Sequence, residues 1–73
     1  QYNEYVLTSL RTIWGVNSSI IQNKFGAGIH AHFLKEIVKW ISKKYILSEE
    51  NIITLTQEGK AFADAIASDL FIV

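Results

Sequence analysis

The chain predicts a mainly helical domain carrying one small β-hairpin, and three features of the sequence say so. Proline is absent and glycine stands at only four of the 73 positions, so the periodic stretches are cleanly separated. Apolar residues recur at helical spacing through four of those stretches. Two short β-branched runs then face each other across a polar tip. With 49% hydrophobic residues the chain can fill one core. Its size places the expected stability at about 4 to 11 kcal/mol.

The first helix is expected over residues 2–14, with Tyr2, Val6, Leu10 and Ile13 on one stripe and Gly15 as its stop. Asn17, Ser18 and Ser19 offer caps for a short second helix that presents Ile20, Ile21 and Phe25 and ends at Gly26-Ala27-Gly28. The third helix, Ile29 to Lys44, gathers His30, Phe33, Leu34, Ile37, Trp40 and Ile41 into one arc, with Lys35, Lys39 and Lys43 opposite. Tyr45-Ile46-Leu47-Ser48 and Ile52-Ile53-Thr54-Leu55 form the hairpin around Glu49-Glu50-Asn51. Thr56 caps a last helix whose Gly59, Phe62, Ala63, Ile66 and Leu70 share a face, the small Gly59 and Ala63 permitting close approach. Three helices, a two-stranded wing and a C-terminal helix are the layout of a winged-helix domain.

Composition excludes several chemistries. Seven basic residues balance seven acidic ones, so no net field gathers nucleic acid or an anionic membrane. Absence of cysteine removes disulfides, thiolate ligands and a cysteine nucleophile, and fits a reducing compartment; a cytoplasmic location is expected. No apolar run reaches the roughly 20 residues that span a bilayer. The chain has no methionine and opens inside the polar-aromatic run QYNEY, so we expect it to be cut from a longer protein.

His30 and His32 are two apart on a helix and point about 200° from each other, which prevents joint chelation. Glu49 and Glu50 sit at a turn tip without the shielded pocket that acid-base catalysis needs; Asp64 faces outward on the last helix and Asp69 lies near its apolar edge. FGAG lacks the lysine and preceding strand of a phosphate loop. These residues supply no catalytic, cofactor-binding or metal site.

DNA binding is the competing class, because winged helices often lay the third helix in the major groove and Lys35, Lys39, Lys43 and Lys44 decorate it here. Glu36 interrupts that stripe, the helix lacks the arginine or glutamine that reads base edges in pairs, and Glu49-Glu50 would meet phosphate at the wing tip. Nucleic acid is therefore the disfavoured partner. A protein-interaction winged helix of some other parent is a further alternative.

Glu4 followed by Leu10-Arg11-Thr12 and Gly15-Val16, then Phe25-Gly26, His32-Phe33-Leu34, and Leu55-Thr56-Gln57-Glu58-Gly59-Lys60 before Ala63-Asp64-Ala65-Ile66 make a recognisable set. Together they resemble the C-terminal domain of the oxygen-independent coproporphyrinogen III oxidase family, the radical-SAM enzymes and heme chaperones HemN and HemW. The resemblance spans nearly the whole chain, and LRT-x-x-G-V at the end of the first helix is its most specific element. It implies a catalytic barrel upstream whose three cysteines hold a [4Fe-4S] cluster and which binds S-adenosylmethionine, with heme as the cargo of the chaperone branch. None of those cysteines is in this chain, so the family's oxidative decarboxylation of coproporphyrinogen III propionates, or its heme delivery, would belong to the parent. The short finish after Phe71 is more similar to the chaperone branch. Residues 1–73 would then be one accessory domain whose partner is the barrel.

Such a domain needs a docking face, and Glu4, Leu7, Arg11, Trp14 and Phe71 are the residues expected to form it. Leu7 and Trp14 lie at the edge of the first helix's apolar arc, and Phe71 points away from the last helix's core stripe. Arg11 lies about 140° from the Val6 direction, on the side of Glu4 and Thr8, with Glu4 nearly in line for an ion pair.

Overall fold

Helix α1 (Tyr2–Leu10) buries Tyr2, Val6 and Leu10 at four-residue intervals, so a single stripe meets the core. The computed structural model describes residues 1–72. Arg11 caps α1 in a helical conformation, Thr12 donates its hydroxyl to the Ser9 carbonyl, and the Gly15 N–H returns to the Thr12 hydroxyl. The helix therefore ends one turn earlier than its apolar spacing predicts. Ile13, expected on the core stripe, is instead 86% exposed.

Gly15 takes φ +73, and a side chain there would stand 2.3 Å from the Ile53 carbonyl oxygen. That close pass delivers Val16–Asn17 as strand β1. Asn17 then caps α2 (Ser18–Phe25), its side-chain oxygen accepting from the Ser19 and Ile20 N–H groups. Gly26, at φ +96, separates α2 from α3 (Ala27–Ser42), the longest helix. Phe33, Ile37 and Trp40 are its buried residues; Leu34 and Ile41, which the periodicity also assigns to the core arc, are 43% and 36% exposed.

Helix α3 closes with the Tyr45 N–H on the Trp40 carbonyl and the Lys44 N–H on that of Ile41, a Schellman pair. Lys44 holds the left-handed position, φ +65, that glycine usually takes. Strands β2 (Ile46–Glu49) and β3 (Ile52–Leu55) form the wing, with Ile46 opposite Leu55 and Glu49 opposite Ile52. Strand β1 pairs antiparallel with the other edge of β3, Val16 against Ile53, giving a three-stranded sheet in the order β1-β3-β2. The fold is thus mainly α with a small wing, as expected, and the added strand is one the two-stranded reading omits.

After β3 the Thr56 hydroxyl accepts from the Gly59 N–H and donates to the Lys44 carbonyl. This opens a short 3₁₀ helix, Gly59–Phe62, that leads into α4 (Ala63–Leu70). Gly59 lies flat on the residue just before β2: a side chain there would collide with the Tyr45 carbonyl oxygen. Ile66, Ala67 and Leu70 of α4 complete the core with Ile21, Ile46 and Ile53. Each fully buried large aliphatic group contributes roughly 1.5 to 3 kcal/mol. The chain's two ends meet beside this core: Asn3 donates to the Ile72 carbonyl and accepts from the Ile72 N–H, both at 2.9 Å, and the Tyr2 hydroxyl donates to the Leu70 carbonyl.

Candidate docking surface

The turn that follows α1 projects the two most exposed large apolar side chains described, Ile13 at 86% and Trp14 at 75%. They stand there because the Thr12 hydroxyl and Gly15 fold the backbone away from the helical path. On one side of the turn lies a groove of about 780 Å3, floored by Leu10 and Leu55 and walled by Ile13 and Phe62. Phe62 is 43% exposed at the end of the 3₁₀ helix, and its inner face stacks on Tyr45, ring centroids 4.7 Å apart.

Arg11 and Asp64 also line this groove, and they bond to each other across it. Both side chains are largely in water, so this pair is worth about 0 to 1 kcal/mol. The ion pair expected between Arg11 and Glu4 does not form. Glu4 lies 3.9 Å from the Gln1 amino group instead, because α1 stops at Leu10 and the packing of α1 on α4 brings Asp64 within reach of Arg11.

The five residues expected to dock are distributed over α1, the turn after it and the segment after α4. Arg11 and Trp14 belong to the turn, whereas Leu7, 37% exposed, lies on α1 and Glu4 lines a separate hollow with Tyr5 and Lys24. Phe71, expected to point away from the core, is half-buried and packs against it, since the chain leaves α4 in an extended conformation and folds back along α1. Ile13 and Phe62 are the apolar groups that spacing assigned to the interior and that the groove instead presents to solvent.

The lysine side of α3 differs. Lys39 bonds Asp69 at 2.8 Å, and that carboxylate also accepts from Trp40 Nε1 at 3.1 Å. Lys39 and Lys43 lie over the Trp40 ring at 5.6 and 5.0 Å from its centroid. The hydrogen bond from Lys39 holds the Asp69 carboxyl below its ordinary pKa, with the Lys39 charge and the Trp40 N–H adding to it, and the same hydrogen bond raises Lys39. His32 is half-buried, and its Nε2 is shielded without a partner. Among the described residues no three His, Cys, Asp or Glu side chains converge as metal ligands, and no helix is long and apolar enough to cross a membrane. With no cysteine anywhere, the chain has no donor set for an iron-sulfur cluster. No protein-family model, curated protein or solved structure matches the chain.

Proposed function

We propose that the chain is a winged-helix accessory domain that docks, through the turn after α1, onto the catalytic barrel of a cytoplasmic parent protein resembling the oxygen-independent coproporphyrinogen III oxidases and radical-SAM heme chaperones. One observation carries this reading. The stretch bearing LRT-x-x-G-V, the element most specific to that resemblance, is also where Ile13 and Trp14 stand exposed beside the Phe62 groove. Apolar side chains of this size held in water by well-formed turn hydrogen bonds mark a contact surface better than they mark a folding solution. The cluster and S-adenosylmethionine would be held by the barrel, whose porphyrin or heme chemistry this domain assists by packing. Reading the parent's upstream coding sequence tests it directly: a C-x-x-x-C-x-x-C segment a few hundred residues before Gln1 is expected, and its absence overturns the assignment.

DNA binding is the second reading, favoured by the winged-helix architecture itself. Against it, Lys39 and Lys43 are engaged by Asp69 and Trp40, and Glu49 and Glu50 occupy the wing tip. Titration with duplex DNA across a salt series separates the two, since phosphate contacts make affinity fall steeply with salt. Tight, salt-sensitive binding would replace the docking reading.

A further inference from the structure

Helix α3 exposes a second apolar surface that neither the core nor the Arg11–Trp14 turn uses. Ala27, Ala31, Leu34, Val38 and Ile41 are all exposed and follow one another at intervals of four, three, four and three residues. That is the spacing of a helix-packing seam, and advancing about 100° per residue places all five within an arc of roughly 80°. Leu34, Val38 and Ile41 are 43%, 59% and 36% exposed. The core-facing residues Phe33, Ile37 and Trp40 lie to one side of the seam, so α3 has two apolar stripes and α1, α2, α4 and the sheet cover only one.

Lys35 borders the free stripe on its solvent side. It is exposed and, unlike Lys39, forms no ion pair among the described residues. Gly28 and Ser42 stand a heptad away on the same border, so the flank is uncharged apart from this cation.

We propose that this seam is a binding site for an amphipathic helix of a protein partner, one whose apolar stripe is bordered by glutamate or aspartate. Charge chooses this occupant over the others. A second copy packed antiparallel would bring Lys35 against its own counterpart, because like positions face each other in that arrangement, and two like charges meet there. Duplex DNA would have to desolvate phosphates against Leu34, Val38 and Ile41. An acidic helix gains the apolar contact and a partner for Lys35 at once. The inference does not rest on the family resemblance.

The test uses the whole chain and two designed peptides three heptads long, with leucine at the seam positions and alanine and lysine on the outer face. One carries glutamate at both flanks and the other lysine there. We expect the acidic peptide to bind with micromolar affinity, with amide shifts concentrated on α3 in heteronuclear NMR, and the basic one to bind at least about tenfold more weakly. Lys35→Glu should reverse that order, and Val38→Lys should abolish binding of both. Should Val38→Lys unfold the domain, seen as loss of helical circular dichroism, the exposed Lys35→Glu exchange decides alone. Equal binding of both peptides, no binding, or shifts that map outside α3 overturn the proposal. So does dimerisation of the free chain through Val38 in sedimentation, or stronger binding of duplex DNA or phosphatidylserine vesicles through the same residues.

Discussion

The two tryptophans are 26 positions apart in sequence and have opposite fates. Trp40 is 8% exposed, gives its indole N–H to Asp69 and has two lysines over its ring. Trp14 is 75% exposed on a turn. The same side chain serves as core in one place and as free surface in the other, and what differs is the backbone beneath it. Trp40 rides the regular α3 spacing that points every third or fourth residue inward, while Trp14 lies past the end of α1, where Thr12 and Gly15 turn the chain outward. Apolar character alone thus does not place a residue; the position of a helix end does.

That contrast is open to attack by mutation. Trp40→Ala should lower stability by about 3 to 5 kcal/mol, enough to unfold much of so small a domain, whereas Trp14→Ala should change it by no more than about 0.5 kcal/mol. Urea denaturation of both variants measures the difference, and comparable losses would mean that Trp14 has a folding role. Gly59→Ala comes next, since its methyl group would collide with the Tyr45 carbonyl; a loss of roughly 2 to 3 kcal/mol is expected on the same assay.

Alkaline titration probes the buried side of the contrast from another direction. Burial, with a smaller contribution from the Glu36 charge, pushes the Tyr2 hydroxyl up to about 12 from 10.0. A group raised in the folded state gives stability that is complete below its unfolded value and disappears as pH climbs through the folded one. Roughly 2 to 3 kcal/mol should therefore fade between pH 10 and 12, and Tyr2→Phe should flatten that slope. A slope unchanged in the variant would assign it to another group.

Smaller effects sharpen the picture at Asp69. Asp69→Asn weakens the acceptor of the Trp40 N–H and should cost about 1 kcal/mol near neutral pH. Because its carboxyl is depressed in the folded state, the contribution is present above the ordinary value of 3.8 and is lost as pH falls below it. Acid titration of the variant should show a weaker fall in stability than the parent chain; an identical curve would exclude Asp69. Arg11→Ala is the smallest in the chain alone, about 0 to 1 kcal/mol. On the docking proposal a larger loss is expected within a longer parent protein, and equal effects in the two settings would remove Arg11 from any docking role.

Much of this was legible in advance because local chemistry decides it. Asn17 caps α2 through its own side chain, Gly59 is small where two backbones touch, and the wing falls on its two β-branched runs; Thr56, expected to cap the last helix, accepts only from the Gly59 N–H, and α4 itself starts at Ala63 without a side-chain cap. Ile13 was misplaced because a three-residue step from Leu10 looks helical whether or not the helix continues, and only the Thr12 hydroxyl bonding back to Ser9 ends it. Strand β1 has two residues, too few for any alternation to register, and it exists because β3 offers a free edge. Arg11 finds Asp64 rather than Glu4 through the packing of α1 against α4, a contact between positions 53 apart that no local spacing encodes. Spacing puts Leu34 and Ile41 in the same arc as Phe33, Ile37 and Trp40; which portion of that arc is covered depends on where the other helices settle.

The clasp of Asn3 on Ile72 has a topological consequence. With the two ends held a hydrogen bond apart, the chain is nearly a closed ring, and a few glycine and serine residues suffice to join them. The exposed Glu50-Asn51 tip of the wing then becomes the natural place to open new ends, and a permutant cut there should fold to the same core, with α4 joined directly to α1 and the α3-to-α4 connection opened at the wing.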